Sequence, residues 1–206
     1  MTHHTKLEIK PGQAVLLSFA VIAACLLSYE FFDAPAARFC ASLDYKVKEI
    51  FGLITWLGLS TPWVVGALAG FIYFKFIKKK ETPANAAAFL LAAVIFSGLA
   101  NDLLKALIGR SRPGLLLSEG IYGFKPFTSQ YYYSSFPSGH ANTIASLCYG
   151  LFLVTGRFKF FLLGIALAVM ASRVIVGAHF PSDILFGAYL GLVVTELLRS
   201  ICHLRT

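Results

Sequence analysis

The sequence predicts an all-α, polytopic membrane protein, and three observations predict it. The 206 residues are 57% hydrophobic with a mean hydropathy of +0.72, well above the composition of a soluble domain. The apolar residues gather into runs near the ~20 positions that a helix needs to cross hydrocarbon. The formal charge of +8 is split into short clusters between those runs. Charge spaced in this way reports topology and leaves no basic face for nucleic acid.

The elements follow in order. Residues 1–12 form a polar tail whose His3 and His4 pair carries no further signal. The first apolar run covers 13–32. Lys6 and Lys10 ahead of it and Ala34-Pro35-Ala36 behind give the outline of a cleaved signal, but its length favours a retained span. In 33–60, Phe39, Leu43, Val47, Ile50 and Ile54 recur at helical spacing with charges on the other faces. That pattern suits an amphipathic helix in the bilayer interface or one packed on the bundle. Further spans are expected at 62–77, 84–104, 141–156, 158–176 and 184–201, making six. Gly66-x-x-x-Gly70 and Gly187-x-x-x-Gly191 read as helix-packing stripes. The length permits one domain, 1–206.

Six spans put both termini on one side. That side collects 10 of the 18 basic residues, from Lys6, Lys10, the 75–80 cluster, Arg157, Lys159, Arg199 and Arg205, with only Glu8, Glu81 and Glu196 as acids. The opposite side holds 8 basic and 7 acidic residues. The positive-inside rule makes the first side cytoplasmic, so the 172–183 stretch faces a periplasm or lumen. Cys25, Cys40, Cys148 and Cys202 show no CxxC or zinc spacing. Three lie in or at the end of apolar runs and read as small core residues, so no disulfide framework is expected.

Three segments on the predicted outer side carry chemistry. The first closes the third span with Lys105 and Arg112, two helical turns apart, before Pro113. Asp102 is placed to pair with Lys105, and Arg110 reads as a snorkelling residue. In the second, Pro137-Ser138-Gly139-His140 opens the fourth span. Ser138 suits an N-cap, and Gly139 lets a ligand approach free N–H groups. The third is Ser172-Arg173, then His179 and Asp183. Each alone is an ordinary helix end. Together, Lys105, Arg112, Arg173 and a helix start suit phosphoryl oxygens. One histidine can attack phosphorus if a carboxylate fixes its tautomer, and Asp183 is four residues from His179. The other can protonate the leaving oxygen. With Asp183 the only carboxylate within the three segments, metal-independent chemistry is expected, with no metal and no cofactor.

These segments, Lys105-x6-Arg112-Pro113, Pro137-Ser138-Gly139-His140 and Ser172-Arg173-x5-His179-x3-Asp183, resemble the tripartite signature of the type 2 phosphatidic acid phosphatase family. The signature spans 105–183 with no departure at its motif positions. The resemblance implies a helical bundle related to acid phosphatases and vanadium haloperoxidases. It implies His179 as nucleophile forming a phosphohistidine, Asp183 orienting it and His140 as general acid. Lys105, Arg112, Arg173 and the Ser138–Gly139 backbone would bind phosphate.

The expected activity is therefore hydrolysis of a lipid phosphate or pyrophosphate at the periplasmic face of a bacterial inner membrane. Undecaprenyl pyrophosphate, phosphatidylglycerophosphate, phosphatidate and the phosphates of lipid A all come into view, with membrane lipids as surroundings and no oligomeric state implied. A phosphotransferase would use the same intermediate and pass phosphate to an acceptor lipid. A non-catalytic anion-binding protein or transporter is the other alternative, although a transport site belongs near the midplane rather than at helix ends. In 114–136, Leu115, Leu116, Leu117, Phe124, Phe127, Tyr131, Tyr132 and Tyr133 form an aromatic belt or a wall over the phosphate pocket.

Overall fold

Polar side chains share the inside of this bundle with apolar ones, while apolar side chains coat its outside. In the computed structural model, which describes residues 11–202, Ser97, Asn101, Asn142, Ser146, Asp183 and Thr195 are buried. Leu16, Phe19, Leu26, Leu68, Phe96, Leu99, Phe161 and Leu197 lie exposed. Such an inversion suits a hydrocarbon solvent, where the exterior needs no polar cover and interior groups bond one another.

Nine α-helices are found among the described residues: α1 (Pro11–Phe31), α2 (Asp33–Ala41), α3 (Tyr45–Ile54), α4 (Ser60–Ile72), α5 (Glu81–Ile108), α6 (Pro113–Glu119), α7 (Gly139–Thr155), α8 (Lys159–Ile175) and α9 (Pro181–Ile201). Four stretches are long and apolar enough to cross a membrane: Gly12–Phe31, Tyr45–Ile77, Glu81–Ile108 and Pro181–Ile201. Helices α7 and α8 have 17 residues each and fall just short of that measure. The polar tail with His3 and His4 lies almost wholly outside the described residues, as does Arg205.

The 33–60 stretch is not one amphipathic helix. Ser42 and Leu43 turn the chain, and Asp44 accepts the Lys46 N–H at 2.7 Å to start α3, a capping bond that satisfies an orphan donor. A 3₁₀ turn, Thr55–Gly58, then leads into α4. Helix α2 packs beside α1, α6 and α8, while α3 lies on α8.

The core is the contact of α5, α7 and α9, with α8 closing it through Val94, Ile144, Leu147, Cys148, Ala166 and Val169. Helices α7 and α9 approach most closely at the second glycine stripe. A Cβ on Gly187 would lie 2.5 Å from the Ser138 carbonyl oxygen, and one on Gly191 would overlap that of Asn142. Gly66 has nothing within 4 Å and a Cβ on Gly70 would meet only Ala87 Cβ at an ordinary 3.8 Å, so the 187/191 stripe makes the closer helix contact of the two. Ser146 and Thr195 add a 2.8 Å hydroxyl contact across the same seam. Cys25, Cys40 and Cys148 are buried, whereas Cys202, at the end of α9, is exposed.

Candidate active site

Helices that alternate in direction bring every second end to one face. The end of α5, the start of α7, the end of α8 and the start of α9 meet there. Gly109, at φ +62°, ends α5 with its N–H on the Lys105 carbonyl, a left-handed cap that glycine takes at no steric cost. Residues 110–112 then run extended beside 121–125, with Ser111 N–H on Gly123 O and Lys125 N–H on Gly109 O. The turn after α8 folds back so that the Ala178 and His179 N–H groups both donate to the Arg173 carbonyl, at 3.0 and 3.2 Å.

The three segments are stitched together directly. The Ser138 N–H donates to the Asp183 carbonyl at 3.0 Å. Arg112 Nη1 donates to the Ala178 carbonyl at 3.3 Å. A Cβ on Gly139 would lie 3.3 Å from Lys105 Nζ. All eight candidate residues therefore belong to one cluster: His140 lies within electrostatic reach of Lys105, Arg112, Arg173 and His179.

His179 is buried at 3% exposure and donates Nδ1–H to the Ser135 carbonyl at 2.8 Å. A carbonyl can only accept, so this contact puts the ring proton on Nδ1 and leaves a lone pair on Nε2. The sequence assigned this role to Asp183. Its nearest oxygen is 3.7 Å from Nδ1, beyond hydrogen-bond length, so Asp183 acts through charge and Ser135 through the bond. Burial pushes the His179 pKa down to about 4, with Asp183 opposing it only in part.

Asp183 is fully buried. Its Oδ2 accepts from Ser135 Oγ at 2.6 Å and from the Phe180 N–H at 2.9 Å, and its Oδ1 accepts from Arg110 Nη1 at 2.5 Å. Arg110 was read as snorkelling. The structure corrects this: Arg110 is 1% exposed and bonded to both Asp183 and Asp33.

Of the cations, Lys105 has Asp102 at 3.8 Å, the expected helical pair at long range. Arg112 packs 4.1 Å over the Tyr131 ring, donates Nε–H to the Tyr131 carbonyl and approaches Ser134, so it ties the 131–134 segment to the site. Arg173 Nη1 donates to Thr55 Oγ1 at 2.6 Å. Ser138 does not cap α7 through its hydroxyl, and its N–H is already taken by Asp183. Ser138 Oγ and Arg173 Nε are buried with no hydrogen bond among the described residues, which leaves each with bonding capacity for an anion.

Residues 86–205 match the family model described as the PAP2 superfamily. The chain belongs to the PAP2 superfamily. Relatives span almost its whole length. A lipid A 1-phosphatase of Rhizobium etli is 34% identical over 90% of this chain and 85% of its own. A lipid A 4'-phosphatase of Porphyromonas gingivalis is 31% identical over 68% of this chain and 60% of its own. Among solved structures, Aquifex aeolicus LpxE aligns with a TM-score of 0.60 at 20% identity, over 82% of this chain and 94% of that one. The PAP2 type phosphatidylglycerolphosphate phosphatase from Bacillus subtilis aligns with a TM-score of 0.60 at 20% identity, over 94% and 96%. The all-α expectation therefore lands on the PAP2 membrane phosphatase fold, and the chain is a PAP2 membrane phosphatase, a hydrolase.

Four residues of this candidate site escaped the sequence reading: Asp33, Thr55, Arg110 and Ser135. Ser135 offers a backbone carbonyl, which no side chain advertises. Asp33 could have been suspected as a carboxylate closing an apolar run, an expensive place for an unpaired charge.

Proposed function

We propose that the chain hydrolyses a lipid phosphate at the periplasmic face of a bacterial inner membrane through a phosphohistidine on His179. The observation that carries this reading is the His179 Nδ1 contact with the Ser135 carbonyl, because it presents Nε2 as a nucleophile. Nε2 attacks phosphorus, the bond from phosphorus to the leaving oxygen breaks, and His140 gives that oxygen a proton. His140 then takes a proton from water, the hydroxide attacks the phosphohistidine, and inorganic phosphate leaves as Nε2 recovers its electron pair. Lys105, Arg112, Arg173, the Ser138 hydroxyl and the Gly139 backbone hold the phosphoryl oxygens, and Asp183 stabilises the imidazolium. No metal is needed in this scheme, since cations of the chain meet the phosphoryl charge.

Among the lipids in view, lipid A bearing a 1-phosphate is the first to test, because two relatives of that name, at 34% and 32% identity, cover 90% of this chain. In this reading α7 and α8 cross as well as the four longer stretches, and six crossings would put the site on the outward face. Helices α7 and α8, at ~1.5 Å per residue, reach ~25 Å, close to the ~30 Å hydrocarbon core. An apolar groove of about 360 Å³, lined by Ile22, Leu26, Tyr29, Ile108, Phe136 and Phe186, opens between α1 and α9. It backs onto Arg110 and Ser182 rather than His179 and suits an acyl chain whose headgroup lies at the site.

The test is phosphate release by detergent-purified enzyme in excess EDTA, from lipid A, phosphatidate, phosphatidylglycerophosphate and undecaprenyl pyrophosphate, beside His179→Ala. Release by the wild type that vanishes in the variant is expected. Equal release by both would overturn the mechanism, and label appearing on an acceptor lipid would make the enzyme a transferase.

A further inference from the structure

Arg110 sits between two carboxylates, and that arrangement leaves a charge over. Asp33, Arg110, Ser182 and Asp183 are each at most 2% exposed. Arg110 gives Nη1 to Asp183 Oδ1 at 2.5 Å and to Ser182 Oγ at 2.6 Å. It gives Nη2 to Asp33 Oδ2 at 2.7 Å and to the Tyr122 hydroxyl at 3.1 Å. Asp33 Oδ1 accepts from the Ser182 N–H at 3.0 Å and from Ser28 Oγ at 2.7 Å, while Oδ2 takes a short bond from the Ser182 hydroxyl. The rings of Phe180, Tyr29 and Tyr122 lie 4.4, 5.0 and 5.5 Å from the guanidinium carbon and pack around it.

One guanidinium for two ionised carboxylates makes the network net negative by one. A buried excess charge is costly unless something nearby answers it. Lys105 and Arg112 also lie within electrostatic reach of Asp183, but the neighbour whose charge changes during the reaction is His179, whose Nδ1 stands 3.7 Å from Asp183 Oδ2. It turns positive when Nε2 bonds to phosphorus. With Arg110 and Asp183 alone, the cation would form beside a neutral pair. With Asp33 drawing on the other arm of Arg110, Asp183 keeps an uncancelled negative charge.

The geometry points to Asp33 as a positioning residue for phosphoryl transfer: by sharing Arg110 with Asp183, it keeps the network negative toward the imidazolium of His179. It acts through Asp183 and touches neither substrate nor reacting atoms. Asp33 also lies ahead of the 86–205 family segment, on a helix that none of the three motifs includes. The inference rests on the phosphohistidine reading above.

The test counts charge rather than contacts. Asp33→Asn takes the network to neutral, whereas Asp33→Asn with Arg110→Met restores the single negative charge. Steady-state kinetics on lipid A in mixed micelles, with the full chain, should show kcat of Asp33→Asn falling about 10- to 100-fold with KM within about twofold. The double variant should recover most of that loss. A merely structural role makes the double variant slower than the single, so a double no faster than Asp33→Asn overturns the inference. So does a folded Asp33→Asn with wild-type kcat. Should the single variant not fold, the double alone decides: kcat within about tenfold of wild type supports the charge account, and a greater loss overturns it. His179→Ala runs alongside. If that variant is active, the phosphohistidine reading itself has failed; if it is dead while Asp33→Asn is unimpaired, only the role of Asp33 has.

Discussion

Ser135 holds His179 with its backbone and Asp183 with its side chain: the carbonyl accepts the imidazole Nδ1–H at 2.8 Å, and the hydroxyl donates to the carboxylate at 2.6 Å. One residue thus sets both the ring tautomer and the place of the charge behind it. Ser135→Ala removes only the second bond. Losing a hydrogen bond to a buried carboxylate costs ~1.5–3 kcal/mol of stability. With the carbonyl still in place, kcat should fall by no more than about tenfold. Thermal unfolding in detergent and steady-state kinetics check the two parts.

Gly58 is the floor under His140. A Cβ there would lie 2.8 Å from His140 Cδ2 and 2.8 Å from Val169 Cγ1. Gly58→Ala should cost ~1–3 kcal/mol by overpacking. Because the imidazole must shift, kcat should drop by about tenfold or more. Wild-type kinetics in Gly58→Ala would show that His140 has room to spare.

The seam between α7 and α9 predicts a contrast between two similar motifs. Gly187→Ala would press on the Ser138 backbone, which holds the start of α7 in place, and should cost both stability and activity. Gly66→Ala meets nothing within 4 Å and should stabilise α4 slightly, by up to ~1 kcal/mol. Paired melting curves of the two variants settle the comparison.

Thr55 aims Arg173 by accepting Nη1–H at 2.6 Å. Thr55→Val keeps the shape and removes the acceptor, which frees the guanidinium to wander. Competitive inhibition by inorganic phosphate should weaken about five- to tenfold, while the melting temperature moves little. An unchanged inhibition constant would separate Arg173 from phosphate binding.

His179 makes stability depend on pH in a stated direction. Its folded pKa is pushed down to about 4, below the ~6.5 of an unfolded histidine. Between those values the unfolded chain binds the extra proton, so stability is lost as pH falls from ~6.5 towards 4 and is fully present above that window. Melting temperatures across this range should slope downward with acid in the wild type and less steeply in His179→Gln. Equal slopes would mean that another group carries the effect.

The residues legible in the sequence were those whose side chains lie at helix ends. Lys105, Arg112, His140, Arg173, His179 and Asp183 are of types that phosphate chemistry needs, and the alternation of helices brings their ends together. Arg110 was misread because an arginine closing an apolar helix is on average at the surface, and its burial here is set by Asp33, 77 residues earlier. Nothing local encodes so distant a pairing. Thr55 was hidden for the same reason, 118 residues from Arg173. The break between α2 and α3 was readable in principle: Asp44 precedes a helical run, the usual place for an N-cap, but the apolar periodicity running through it favoured one continuous helix.

The Asp33–Arg110 pair also sets an order of assembly. Asp33 is synthesised and delivered to the membrane with α1 and α2 well before its cation exists. The carboxylate must wait in interfacial water until the end of α5 arrives, because an unpaired charge is expelled from the interior. Ser182 and Asp183, from α9, arrive last of all. Complete pairing of the network therefore needs the first helices and the last to have met, so the buried cluster is finished only with the whole bundle.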